Sequence, residues 1–201
     1  MSTQAAVTIA VTVVLAVGGY FAKYVNDLRL AQRRDRLERV NRQLAELYGP
    51  LFALHSASDR LWTEFRALHR PSGAFWQQPL PDEDEARTWR EWMANAFIPL
   101  TKAMKDSVVA HADLLREPGE IPAVLQDLCA HAAGYEVLLA RWREPSFAST
   151  AVADHVSVIN YPSAALTAYL LEAYTSLKDE QQRLLRALQH PRGARAREGA
   201  G

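Results

Sequence analysis

The stretch LERVNRQLAELYGPLFALHSASDRLWTEFRAL, Leu37–Leu68, decides the fold. Its apolar positions step by three and four without a slip: Leu37, Val40, Leu44, Leu47, Leu51 and Leu54, then Ser58, Leu61, Phe65 and Leu68. A spacing of this kind puts every one of them on a single helical stripe, and it is sustained over about four heptads. Gly49 and Pro50 interrupt the stretch, and a proline inside a helix removes a backbone bond and clashes with the carbonyl four residues back. Because the apolar phase continues across the interruption, a kinked helix is expected rather than two unrelated ones.

On the N-terminal side, Ala5–Ala22 holds no charged residue. Eighteen helical residues cover roughly 27 Å, close to the thickness of a bilayer's hydrocarbon layer. Met1–Gln4 carries no positive charge and the run passes directly into a polar helix, so an uncleaved anchor is expected rather than a signal peptide. Lys23, Arg29, Arg33, Arg34, Arg36, Arg39 and Arg42 follow the run and none precedes it. The positive-inside bias then predicts a single pass through an inner or plasma membrane, N-terminus outside and the bulk of the chain in the cytoplasm. Tyr20, Lys23, Tyr24 and Arg29 are the expected residues of the membrane interface.

On the C-terminal side, three more helices are expected. Asp82 with Glu85 three residues on reads as a capping box. It opens a helix whose face is Trp89, Met93, Phe97, Leu100, Met104 and Val108, with a kink at Pro99 and an end at Pro118 and Gly119. The next begins at Pro122 and presents Leu125, Leu128, Tyr135, Leu138 and Trp142. Pro162 opens the last, with Leu166, Leu170, Ala173, Leu177, Leu184 and Leu188 on one face. Two connections carry unusual residues. The turn after His69 holds Phe75 and Trp76, expected to cap the end of the bundle. Ser146–Tyr161 has no period and exceeds the usual helix connection, so it is either functional or laid against the bundle.

The expected fold is therefore all-α: an N-terminal transmembrane helix running into a long stalk and an antiparallel bundle of about four kinked helices. The organisation that follows is a transmembrane anchor over 1–24, a basic helical stalk over 25–48, a cytoplasmic bundle over 49–190 and a disordered tail over 191–201. The stalk stripe Leu37, Val40, Leu44 and Leu47 needs a cover, supplied by the last helix, by a second copy of the chain or by another membrane protein.

Lys and Arg number 23 and so do Asp and Glu, which gives no case for nucleic acid as a partner. The single cysteine, Cys129, excludes an internal disulfide, and burial as a structural thiol is its expected role. Catalytic signatures are missing. No Gly-x-Ser-x-Gly elbow, phosphate-binding loop, dinucleotide fingerprint or His-Glu-x-x-His helix is present, and no Glu stands three residues before any histidine. No enzyme activity and no cofactor are expected. The remaining chemistry lies in histidines on apolar faces. His131 falls in the series Val124, Leu128, His131, Tyr135, and His111 follows Leu100, Met104 and Val108, so both should point inward. Asp127, four residues before His131, shares its helical face and is placed to orient the imidazole. His111, His131 and Asp127 are thus the candidates for a metal or small-ligand site, against the plainer expectation of hydrogen-bonded core histidines.

Taken together, Leu47–Leu51 (LYGPL), His111–Leu115 (HADLL), Leu128–His131 (LCAH) with Tyr135 and Trp142, and Ser157–Pro162 (SVINYP) resemble a group of uncharacterised bacterial proteins. These have one N-terminal span and a helical cytoplasmic part, and the resemblance covers most of residues 37–188. It implies the same architecture here and carries no activity, cofactor or site residue. Two functions remain: a membrane-anchored helical scaffold or interaction protein, and a membrane-tethered bundle with a ligand site around His111 and His131.

Overall fold

A computed structural model of the chain describes residues 3–71, 75–76, 80–117, 119–149 and 151–189, with side chains from residue 12 onward. The expected tail over 191–201 lies outside the described residues. Among them every regular element is helical. The six α-helices are α1 (Thr3–Arg42), α2 (Gly49–His69), α3 (Glu83–Trp92), α4 (Ile98–Ala110), α5 (Ala123–Trp142) and α6 (Ser163–Gln189). They form two compact units, one of Met1–Asn41 with Asp179–Gly201 and the other of Arg42–Lys178.

Both expected kinks are π-helical turns. Gln43–Tyr48 joins α1 to α2 just before Pro50, and Met93–Phe97 joins α3 to α4 just before Pro99. A proline cannot donate to the carbonyl four residues back, and the wider π turn moves that carbonyl away from the ring. The Gly49 amide accordingly bonds to the Leu44 carbonyl and the Ile98 amide to Met93, each five residues back. Glycine is required at 49 because a Cβ there would lie 2.3 Å from the Leu44 carbonyl oxygen. Two kinked helices with continuous apolar faces therefore replace four short ones, giving the four-helix count read from the sequence.

The larger unit is built on these faces. Leu47, Leu51, Met104, Leu125, Leu128, Leu166 and Leu170 are buried almost completely. An aromatic cluster of Phe65, Phe75, Trp89 and Phe97, with Met93, Tyr135 and Leu138, occupies another part of the core. Phe75 caps it, as expected of the turn after His69. The Asp82 and Glu85 capping box is present, with both reciprocal hydrogen bonds. Tyr48 accepts the Arg116 amide at 3.1 Å. Tyr169 gives its one proton to Glu117, so the Tyr48 hydroxyl donates to the Tyr169 oxygen, 3.1 Å away.

Within the smaller unit, Arg36 pairs with Glu180, and Gln181 donates to the Asn41 side chain at 2.6 Å. The C-terminal part of α6 thus accompanies the stalk segment of α1. Of the stalk stripe, Val40 and Leu47 are buried within one copy of the chain, with Leu37 and Leu44 half-buried. Leu47 is core, not a free interaction surface. Among the described residues, no helix is long and apolar enough to cross a membrane. The run Ala5–Ala22 lies within α1, and the side chains of its first seven residues fall outside the description.

Candidate functional site

The segment between α5 and α6 lies on the bundle, and its docking builds the site. A loop without a strand or helix ladder leaves its carbonyls needing donors. Three inward side chains supply them. Trp142 Nε1–H donates to the Asp154 carbonyl at 2.8 Å, Trp89 Nε1–H to that of His155 at 2.9 Å, and His131 Nδ1–H to that of Ile159 at 2.6 Å. The His155 ring is fully buried, donates through Nε2 to the Ser149 carbonyl at 2.8 Å and stacks on Trp76. Gly134 on α5 permits the approach of the loop, since a Cβ there would stand 2.2 Å from Ser157 Oγ.

Between the docked loop and the helices is a cavity of about 300 Å³. Trp62, Trp89, Met93, Phe97 and Tyr135 form its apolar side. Ser58, Thr101, His131 and Ser157, all buried, bring polar groups to it, and Asp59, Asn160, Tyr161 and Ser163 complete the lining. The size lies at the lower end of small-molecule sites, and a mostly apolar wall with a few polar groups is their usual composition.

A hydrogen-bonded chain runs from the cavity into the core. Thr167 spends its proton on the Ser163 carbonyl at 2.9 Å, so its oxygen accepts from His55 Nε2–H at 2.7 Å. His55 Nδ1 is then the acceptor, and the Tyr161 hydroxyl donates to it at 2.8 Å. Ser58 in turn bonds to the Tyr161 oxygen. Burial lowers the pKa of both His55 and His131, so each is a neutral imidazole at neutral pH. Burial also pushes the Tyr135 and Tyr161 hydroxyls well above the ordinary phenol value. Neutral donors and acceptors in a fixed pattern are suited to orienting a small polar molecule.

The three sequence candidates separate. His131 points inward and lines the cavity, while serving the loop as a hydrogen-bonded core residue. His111 does not point inward. The helix ends at Ala110, His111 takes φ −124°, and the face carried by Met104 and Val108 is not continued. Its ring is one third exposed and stands 3.6 Å from Glu46. Asp127 is exposed, on the rim of the inward stripe of α5, and the His131 Nδ1–H goes to Ile159 instead. Among the described residues no cluster of three or more His, Cys, Asp or Glu side chains is placed to hold a metal. Cys129 is half-buried, and burial raises its thiol pKa, which disfavours a nucleophilic thiolate.

Sequence reasoning missed the Ser58, Tyr161, His55 and Thr167 chain. A signal for it existed: Ser58 is the one polar residue in an otherwise apolar stripe. No protein family, curated protein or solved structure matches the chain.

Proposed function

We propose that the chain is a membrane-tethered helical binding protein that takes a small molecule into the cavity between α2, α5 and the loop before α6. One observation carries the ligand reading. Four buried polar side chains, Ser58, Thr101, His131 and Ser157, converge on a cavity whose apolar side is mostly aromatic. Polar groups are costly to bury beside empty space and useful for orienting a guest. His131 is the member of the original candidate pair that takes part, and His111 is not.

The tether is supported by the apolar run in α1. Val13, Val14, Leu15, Val17, Tyr20 and Phe21 are each more than half exposed. Neighbouring positions of this kind cover all sides of a helix, and a helix apolar all round requires a buried or lipid setting. The arginines from Arg29 to Arg42 then favour an inner or plasma membrane topology with the bundle in the cytoplasm. Tyr20, Lys23, Tyr24 and Arg29 form the interfacial belt in this reading.

A scaffold role, with a second copy or another membrane protein as partner, draws support from exposed Val109, Val137 and Val158. It loses the stalk stripe as its docking surface, because the chain covers Val40 and Leu47 itself.

The ligand reading is tested with full-length protein in maltoside detergent, carrying a ¹³C label on the methionine methyls. A mixture of neutral, cationic and anionic fragments is expected to shift the Met93 methyl, and the Thr101→Phe variant, which fills the cavity, to abolish the shift. A Met93 signal indifferent to every fragment counts against a ligand site.

A further inference from the structure

The charges around this cavity narrow its guest. Among the described residues that line it, none is Lys, Arg or Glu, and the one carboxylate is Asp59. His131 is buried, and burial lowers its pKa below the ordinary value against the opposing pull of the Ile159 carbonyl, so it brings no positive charge at neutral pH. An anion would meet the Asp59 carboxylate with no side-chain cation to offset it.

Two groups temper that carboxylate. Ser163 Oγ donates to Asp59 Oδ1 at 3.2 Å, and Ser163 is the first residue of α6. A helix N-terminus carries roughly half a positive charge against the full negative charge of Asp59, so the mouth stays negative. The charge is felt within: it opposes ionisation of Tyr161 and favours protonation of His55. Behind Asp59 stand Trp62, Trp89, Phe97, Tyr135 and Tyr161, whose rings attract cations through their negative faces.

We propose that the guest is a small organic cation, an amine or quaternary ammonium, with its charge at Asp59 and its apolar part among the aromatic rings. This deepens the ligand-binding reading and rests on it. Thr101 gives its proton to the Phe97 carbonyl at 2.8 Å, so its oxygen is left to accept from a hydroxyl that the cation carries at its far end.

The experiment uses the full chain in maltoside detergent, which has no ammonium headgroup. Three probes of one shape are titrated: choline, its neutral counterpart 3,3-dimethylbutan-1-ol, and the anion 3,3-dimethylbutanoate. Calorimetry and tryptophan fluorescence report binding. Choline is expected to bind about tenfold more tightly than the alcohol, and the anion weakest of the three. Asp59→Asn, at an exposed position, is expected to keep the helical circular dichroism and to remove the preference for choline. Equal or tighter binding of the alcohol, or a preference unchanged in Asp59→Asn, overturns the cation assignment and leaves the ligand site standing. Silence from all three probes also overturns it, and the Met93 methyl shift with mixed fragments then decides separately whether the cavity takes a ligand.

Discussion

Gly134 lies directly beneath Ser157: a Cβ on the glycine would stand 2.2 Å from the serine Oγ and 3.3 Å from its Cβ. The loop that closes the cavity therefore touches α5 at a position where only a hydrogen fits. Gly134→Ala is expected to lift Ser157 off the helix. The cost should be about 1–3 kcal/mol, the usual range for overpacking. Denaturant titration measures it, and adding Ser157→Gly should recover most of the loss. A double variant as unstable as the single one would place the damage in α5 itself.

The π turn before Pro50 makes a second glycine obligatory. Gly49→Ala puts a methyl 2.3 Å from the Leu44 carbonyl oxygen, which is backbone and cannot step aside cheaply. A loss of about 2–3 kcal/mol is expected. For a chain of this length, that lowers the melting temperature by roughly 5–10 °C. Pro50→Ala restores the missing amide and is expected to be tolerated better than Gly49→Ala in the same thermal melt.

Acid should weaken the bundle through its buried histidines. Burial lowers the pKa of His55, His131 and His155 from the ordinary value of 6.5. Asp59 opposes this at His55, and at His155 the Ser149 carbonyl, Asp154 and Glu83 oppose it while Arg90 adds to it. Below about pH 6.5 the unfolded chain takes up protons that the native chain refuses, so stability rises with pH there. The contribution is complete above that pH and declines as pH falls toward the native pKa values. Each histidine adds a slope of at most about 1.4 kcal/mol per pH unit. Urea titrations at pH 7.5 and 5.5 should show a smaller acid loss for His131→Asn, whose amide can still donate to the Ile159 carbonyl.

Leu47 separates a core stripe from an interface stripe. Its side chain is fully buried within one copy of the chain, so Leu47→Ala is expected to cost about 2–5 kcal/mol in unfolding. Sedimentation of the folded variant should give the wild-type oligomeric state. A shift in oligomeric state with unchanged thermal stability would return Leu47 to the role of a docking residue.

The tether has its own test. Val13→Arg with Val17→Arg places two charges in the middle of the apolar run, each costing about 2.5–3.5 kcal/mol on insertion. Wild-type protein is expected to stay with membranes through alkaline carbonate extraction, and the double variant to be released. Retention of both would detach membrane association from the Ala5–Ala22 run.

Much of the helical plan was legible because it rests on local rules. The three-and-four spacing of Leu37–Leu68, the Asp82 and Glu85 capping box and the prolines at 50 and 99 each constrain only their neighbours. The resulting helix, cap and kink appear where they were expected. His111 shows where such reading stops. Its inward orientation was extrapolated from Met104 and Val108 along a helix expected to run to Pro118, but the helix ends at Ala110 and His111 stands beside Glu46. His155, in a segment without period, gave no sign of being the most buried histidine among the described residues.

The sequence by itself determined the four helices, the two proline kinks and the apolar run in α1, since periodicity, caps and backbone chemistry act over one or two turns. Only the tertiary structure decided the site. Asp59 and Ser163 are 104 residues apart, as are Ser58 and Tyr161 by a similar span, and His131 meets Ile159 only because Trp89, Trp142 and Gly134 let the loop lie down. Those encounters depend on which carbonyls a loop leaves without donors and which buried side chains can reach them. That is a property of the packed chain rather than of any one stretch of it.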